Sequence, residues 1–509
     1  MEKVCRKKET IVLTILFAGY LLFNGILLAG HELWRDEANV WLVAREMSIL
    51  QLFREIRYQG HPCLWYLIVM PFAKAGFPFK TISVLSCLVM AAAAGIFAYR
   101  APFHPVTKLV CLISPIFSYY YPVVARNYCL IAVLLILLAA CHSKRNENPI
   151  GYGLLLGALV QADTIALAAA GLISLMWLWE SISKTIREKS RMPILTSIKG
   201  LWIPLFSLFL WIAEFYHVSD SPEFQFRRMS GLELIGEIRN FFFHILSRMT
   251  GGGKGFDLLL LLLFLAAGVF ISLRLKNIWP AVVMAGAFLF EIVFSIMVYQ
   301  LHIWHYIAIA FTLIWFLWLG NEPWQEENGQ EKEKLKIVRR GLSEGMLILL
   351  SCSMFLRWNS PEESSSLSNA LHGLYSDGVN VAAYIKENIA PEELVFSTDV
   401  SESATVQAYL GKDYTFYYAG NQKPEVYADY AKEQQSTVSY EELWNFVWDN
   451  FPEKDSFYIL ESPGNCIKDI PDEIKDEFTV CYRTEGKSAR GEDYVLYRIR
   501  LGKKQESYG

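Results

Sequence analysis

Twelve apolar stretches recur through the first 357 residues, at about 11–29, 61–73, 79–99, 107–121, 128–142, 150–166, 167–182, 200–216, 256–273, 278–298, 303–320 and 341–357. Several approach the roughly 20 residues that an α-helix needs to cross about 30 Å of hydrocarbon, and only helices or closed barrels satisfy their own backbone there. The chain therefore reads as a polytopic α-helical membrane protein. Its 19% of charged residues lies below the roughly one quarter usual for soluble domains. The first stretch follows Lys3, Arg6, Lys7 and Lys8, and no small-residue cleavage site precedes the charged segment at His31. It is expected to be a membrane helix with a cytoplasmic N-terminus and not a cleaved signal peptide.

The stretch at 61–73 is short, contains Pro62 and Pro71, and is closed by Lys74, so it suits an interfacial helix better than a span. The positive-inside rule supports this reading, because each added span inverts every later loop. With 61–73 at the surface, Arg100 and Lys108, Lys144 and Arg145, the 184–199 cluster, Arg274 and Lys276, and the 332–340 run all face the cytoplasm. The expectation is about 11 transmembrane helices, with 30–78 forming one extracytoplasmic loop of juxtamembrane helices. The same parity places the turns at 121–127 and 161–163, the long loop 217–256, the short loop 299–305 and everything after 357 outside.

Residues 1–357 are thus expected to form the transmembrane domain, and 358–509 an extracytoplasmic α/β domain. Within the latter, helices are predicted at 377–388, 401–410 and 439–450, and strands at 394–398, 414–418, 456–460, 478–483 and 494–499. Ser439 and Glu442 form a capping box. Of nine cysteines, Cys466 and Cys481 lie in this domain and are candidates for a disulfide. The net charge of −4 and the lack of a long basic run argue against nucleic-acid partners.

The first outer loop places His31, Glu32, Trp34, Arg35, Asp36 and Glu37 directly after the first span, and Tyr58, His61, Pro62, Trp65 and Tyr66 before the next. Paired carboxylates at a helix N-terminus are often only caps. Here a histidine and interfacial aromatics lie in the same loop, which raises the weight of a functional reading. The Asp36-Glu37 pair, followed by Arg45-Glu46-Met47 and then by His61-Pro62 ahead of an aromatic run, resembles the GT-C glycosyltransferases, in particular the protein O-mannosyltransferase and aminoarabinose transferase branch (glycosyltransferase family 39-like). The resemblance implies a GT-C-like membrane domain in the cell membrane and an extracytoplasmic active site. It also implies transfer of a sugar from a polyprenyl-phosphate-linked donor to a glycan, lipid or protein acceptor.

Such a transfer requires a base for the acceptor hydroxyl, for which Asp36 is the candidate, with Glu37 orienting the acceptor. The pair also leaves room for a divalent metal. The leaving phosphate needs cations or hydrogen-bond donors. Arg126 is the first candidate, in a 114–128 segment similar to the family's second outer loop, where Arg126-Asn127 stands in place of the acidic residue of some members. Arg227, Arg228, His302 and His305 are further phosphate candidates, though contact with membrane lipid headgroups explains the arginines equally well. Tyr58, His61, Trp65 and Tyr121 are the candidates for acceptor or sugar contacts.

Gly251-Gly252-Gly253-Lys254-Gly255 lacks the Ser or Thr of a phosphate loop, and Gly151, Gly153 and Gly157 lie in an apolar stretch where close helix packing is the simpler role. Glu291, inside the apolar run at 278–298, favours a different class of protein: a transporter or flippase for a lipid-linked saccharide, with the carboxylate on its pathway.

Overall fold

The computed structural model describes residues 2–216, 227, 229–250, 254–275, 277–322, 333–359, 366–430, 439–462, 467, 470 and 477–501. Among the described residues six helices are long and apolar enough to cross a bilayer: Lys8–Gly30, Thr81–Arg100, Thr164–Glu188, Met192–Phe215, Trp279–Met297 and Ile303–Asn321. Tyr128–Lys144 and Pro149–Val160 are apolar but shorter. Six of the about eleven expected spans thus have spanning length among the described residues. Ile303–Asn321 is the central one, 89% buried by its neighbours, against 22% for Lys8–Gly30 and 28% for Met192–Phe215 at the periphery. Those outer helices present Leu22, Trp202 and Phe209 outward, an apolar exterior that a bilayer satisfies and water does not.

Two helices reach backbone contact through glycine. A Cβ on Gly153 would lie 2.2 Å from the carbonyl oxygen of Gly200, so only hydrogen at both positions allows Pro149–Val160 to lie against Met192–Phe215.

The apolar run at 107–121 does not form one helix. Helix Pro105–Ile113 stops where Ser114 precedes Pro115, a position that disfavours helical backbone. Ser114 Oγ closes the end by donating to the Cys111 carbonyl (2.8 Å) and accepting from the Ile116 N–H (3.3 Å). The following segment to Asn127 is irregular yet buried, which is tolerated only if its backbone groups find partners. Tyr20 donates to the Phe117 carbonyl, Ser86 donates to the Tyr121 carbonyl, and Asn24 accepts from the Tyr119 N–H. Part of the expected 217–256 loop is also helical, over Gly231–Thr250. Leu64–Lys74 has 11 residues, about 16 Å of helix, too short to cross a membrane.

The C-terminal region forms a six-stranded mixed sheet. Its strands are β1 (Val395–Ser397), β2 (Phe416–Tyr418), β3 (Lys423–Glu425), β4 (Ser456–Glu461), β5 (Phe478–Arg483) and β6 (Val495–Arg500), in the order β3-β2-β1-β4-β6-β5. β1 runs parallel to β2 and β4, and the other pairings are antiparallel. The edge strand β3 is the one the alternation pattern did not predict, because Pro424 leaves only a three-residue strand. Alternate β4 residues face opposite cores. Tyr458 and Leu460 pack with Val381, Ile385 and Val406, while Phe457 and Ile459 pack with Leu443 and Val447.

This domain sits on the loop that follows the first membrane helix. Ala404 and Ala408, on helix Val400–Leu410, belong to the same apolar cluster as Trp34, Ala38 and Trp41 on and beside helix Arg35–Glu46. The Leu33 N–H donates to Tyr409 Oη (3.2 Å), the Arg35 N–H to Glu492 (2.8 Å), and the Tyr375 N–H to Glu32 (3.0 Å). Cys466 lies outside the described residues.

Candidate functional site

Helix Arg35–Glu46 has Trp34 as its N-cap and carries Asp36 and Glu37 in its first turn. The two carboxylates take different roles. Glu37 is fully buried, and four donors converge on it: the N–H groups of Ala125 (2.6 Å) and Trp34 (3.1 Å), His31 Nε2 (3.1 Å) and Ser83 Oγ (3.5 Å). It is both the cap of its own helix and the tether of the 114–127 segment.

Asp36, whose side chain keeps 26% of its accessible surface, pairs instead with the Arg126 Nη1 group. Burial raises the carboxyl's pKa, but Arg126, Arg35 and Arg490 more than offset this and hold it below the ordinary aspartate value. Arg126, whose charge burial opposes, is in turn held more firmly protonated by Asp36.

Arg126 reaches its position because Glu37 holds Ala125, the residue before it. Its Nη2 donates to His61 Nε2 (2.6 Å), while His61 Nδ1 donates to Asp163 Oδ2 (3.1 Å). Asp163 is fixed by the Ile165 N–H and by Asn127 Nδ2 (2.5 Å). The neutral Nδ1–H tautomer of His61 is the one that suits a guanidinium on one side and a carboxylate on the other. The result is a relay, Asp163 to His61 to Arg126 to Asp36, which joins the first outer loop to the bend at 161–163. The remaining Arg126 donor nitrogen, Nε, is buried and has no partner among the described residues.

Arg126 lines a cavity together with Trp34, Tyr120, Val124, Tyr128, Trp304 and Arg490. Sequence reasoning did not single out Arg490, Trp34 or Trp304 as site residues. Nothing local marks Arg490 within Lys487-Ser488-Ala489-Arg490-Gly491, since its significance comes from domain docking alone. The fold brings the Asp36, His61 and Arg126 candidates together.

The other candidates are placed differently. His305 is fully engaged: Nδ1 accepts from the His302 N–H (2.9 Å) and Nε2 meets the Tyr128 hydroxyl (2.9 Å). His302 caps helix Ile303–Asn321 and stacks on Trp304 at 4.7 Å. Tyr121 is buried, donating to the Trp304 carbonyl (2.9 Å), and Trp65 has no exposed surface left for a sugar. Tyr58 stacks under the Arg57 guanidinium at 4.9 Å. The Arg227 N–H donates to the Met297 carbonyl and its side chain is exposed, while Arg228 lies outside the described residues.

The pair Asp36 and Glu37 does not fit a divalent metal. Glu37 is saturated by donors, Asp36 is flanked by guanidiniums that repel a cation, and no cluster of three metal-ligating side chains occurs among the described residues.

Glu37→Ala is expected to destabilise the protein strongly. It strips acceptors from the Ala125 and Trp34 N–H groups, and each orphaned buried donor costs about 1–3 kcal/mol. Thermal unfolding of the detergent-solubilised variant, followed by size-exclusion chromatography, should show a clear fall in melting temperature. An unchanged melting temperature would contradict the tether role.

No family model matches the chain, and no curated protein matches it. Among solved structures it is similar to ArnT from Cupriavidus metallidurans in the apo state, with 12% identity over 96% of this chain and 98% of that one and a TM-score of 0.49. It is likewise similar to the same protein bound to undecaprenyl phosphate, with 13% identity over 95% and 97% of the two chains and a TM-score of 0.49.

Proposed function

We propose that the chain is a membrane glycosyltransferase that moves a sugar from a polyprenyl-phosphate-linked donor to an acceptor hydroxyl on the extracytoplasmic side, with inversion at the anomeric carbon. One observation carries this reading. A partly accessible carboxylate, Asp36, is held by the guanidinium of Arg126 at an aromatic-lined cavity, and the buried Arg126 Nε has no partner among the described residues. A single displacement at a sugar phosphate needs these two groups side by side: a base for the incoming hydroxyl and a cation for the departing phosphate.

In the reaction the acceptor oxygen bonds to the anomeric carbon as the bond from that carbon to the phosphate oxygen breaks. Asp36 takes the hydroxyl proton, and the electron pair departs on the lipid phosphate, whose charge Arg126 meets. Arg126 cannot serve Asp36 and the phosphate equally. A donor phosphate that draws the guanidinium away leaves Asp36 more basic at the moment a base is needed. Asp163 and His61 keep Arg126 in place while it changes partners.

The alternative, movement of a lipid-linked saccharide across the membrane, is favoured by one observation. Glu291 is buried within helix Trp279–Met297, and its Oε2 has no hydrogen-bond partner among the described residues. Mass spectrometry of lipid-linked sugars and surface glycans tests the transferase reading in cells with and without the protein. Loss of the protein should raise one polyprenyl-phosphate-linked sugar and remove one sugar from a surface molecule. No change in either pool would overturn it.

A further inference from the structure

We infer that Arg490, from the C-terminal domain, is a second cation for the lipid phosphate, so that the anion site in the membrane-domain cavity is complete only when that domain is docked. This rests on the proposed function, since it assigns a phosphate to the same cavity.

Arg490 and Arg126 both line the cavity, and Arg490 is close enough to Asp36 to act on its charge. Its guanidinium carbon lies 4.6 Å from the ring centre of Trp34, 4.9 Å from that of Trp304 and 5.0 Å from that of Tyr375. Its Nε donates to the Tyr375 hydroxyl (2.7 Å). Among the described residues no carboxylate pairs with it. A half-buried guanidinium packed chiefly among aromatic rings is under-compensated, because cation–π contact returns less than desolvating an ion costs. An anion held between Arg490 and Arg126 supplies the missing charge, and a planar fork with two terminal amino groups suits phosphate oxygens.

The loop is also built to hold this arginine still. The Ala489 and Arg490 N–H groups donate to the carbonyls of Leu374 and Tyr375 (2.8 and 3.2 Å). Two residues on, Glu492 accepts from the Arg35 N–H of the catalytic-loop helix and from Ser376 and Thr405. The guanidinium is thus tied to the residue beside Asp36, which makes the domain part of the site.

The test is direct binding of farnesyl phosphate to the purified full-length protein in detergent, with farnesol and inorganic phosphate as parallel ligands. The wild type should bind farnesyl phosphate. R490Q should weaken that binding about 10- to 100-fold, the size of one charge-assisted contact, while leaving any farnesol binding unaltered. Equal affinity of R490Q and wild type would overturn the inference and leave the proposed function standing. Failure of the wild type to bind at all would count against the proposed function itself. If inorganic phosphate binds as well as farnesyl phosphate, the lipid assignment is overturned. Should R490Q prove unstable, Tyr375→Phe removes only the hydroxyl that orients Nε. It should weaken binding several-fold, and unchanged affinity there would be equally damaging.

Discussion

Asp36→Asn should abolish sugar transfer, lowering turnover by about 10²- to 10⁴-fold, the usual contribution of a positioned general base, while the protein stays membrane-inserted and abundant. The substitution is nearly isosteric and keeps an oxygen for Arg126, so the fold has no reason to fail. A melting temperature close to that of the wild type, set beside the fall expected for Glu37→Ala, would separate the chemical carboxylate from the structural one. Unchanged transfer would remove Asp36 from the role of base. The pH dependence carries a further signature. In the free enzyme Asp36 titrates below the ordinary aspartate value, because Arg126, Arg35 and Arg490 outweigh burial. The acid limb of kcat/KM, which reports the free enzyme, should therefore lie below the normal carboxylate range. Once the donor phosphate engages Arg126 the carboxylate loses part of that stabilisation, so the acid limb of kcat should lie at higher pH. Coincident limbs would contradict the exchange of partners.

Arg126→Gln should reduce turnover by about 10²- to 10³-fold, comparable to removing one donor from an oxyanion site, and raise the KM for the lipid donor. Arg126→Lys should recover little. The native side chain reaches Asp36 through Nη1 and His61 through Nη2, a fork that a single ammonium cannot reproduce. The loss should also move the acid limb of kcat/KM upward, because burial then dominates the titration of Asp36. Steady-state kinetics across pH would read all three effects. A variant with normal donor KM and an unmoved limb would show that Arg126 is a structural cation only.

Much of the site's first half was legible in the sequence because it is local. Asp36, Glu37 and His61 lie in one loop whose placement follows from helix length and from the charge of the connecting loops. What the sequence could not do was divide the pair. Both carboxylates occupy the first turn of the same helix, and only the convergence of His31, Ser83 and the Ala125 N–H on Glu37 makes it the buried tether. Arg126 was identifiable from its polar neighbours, although the stretch before it looked like a span until Ser114-Pro115 was seen to end the helix. His305 looked like a ligand because spacing cannot show that a ring nitrogen is already spent on capping its own helix. The β-strands of the C-terminal domain were readable from alternation, whereas the approach of Arg490 to Asp36 depends on the docking of two regions far apart in the chain, and no local pattern encodes it.

The most direct test of the account is release of free polyprenyl phosphate from a panel of polyprenyl-phosphate-linked sugars by the purified protein in detergent, with a candidate acceptor present. Detergent abolishes the two compartments that transport requires, but leaves transfer intact. The account predicts acceptor-dependent release of the lipid phosphate by the wild type and none by Asp36→Asn. Contradiction would come from a protein that releases nothing from any donor in detergent yet moves a lipid-linked sugar across the bilayer of sealed vesicles.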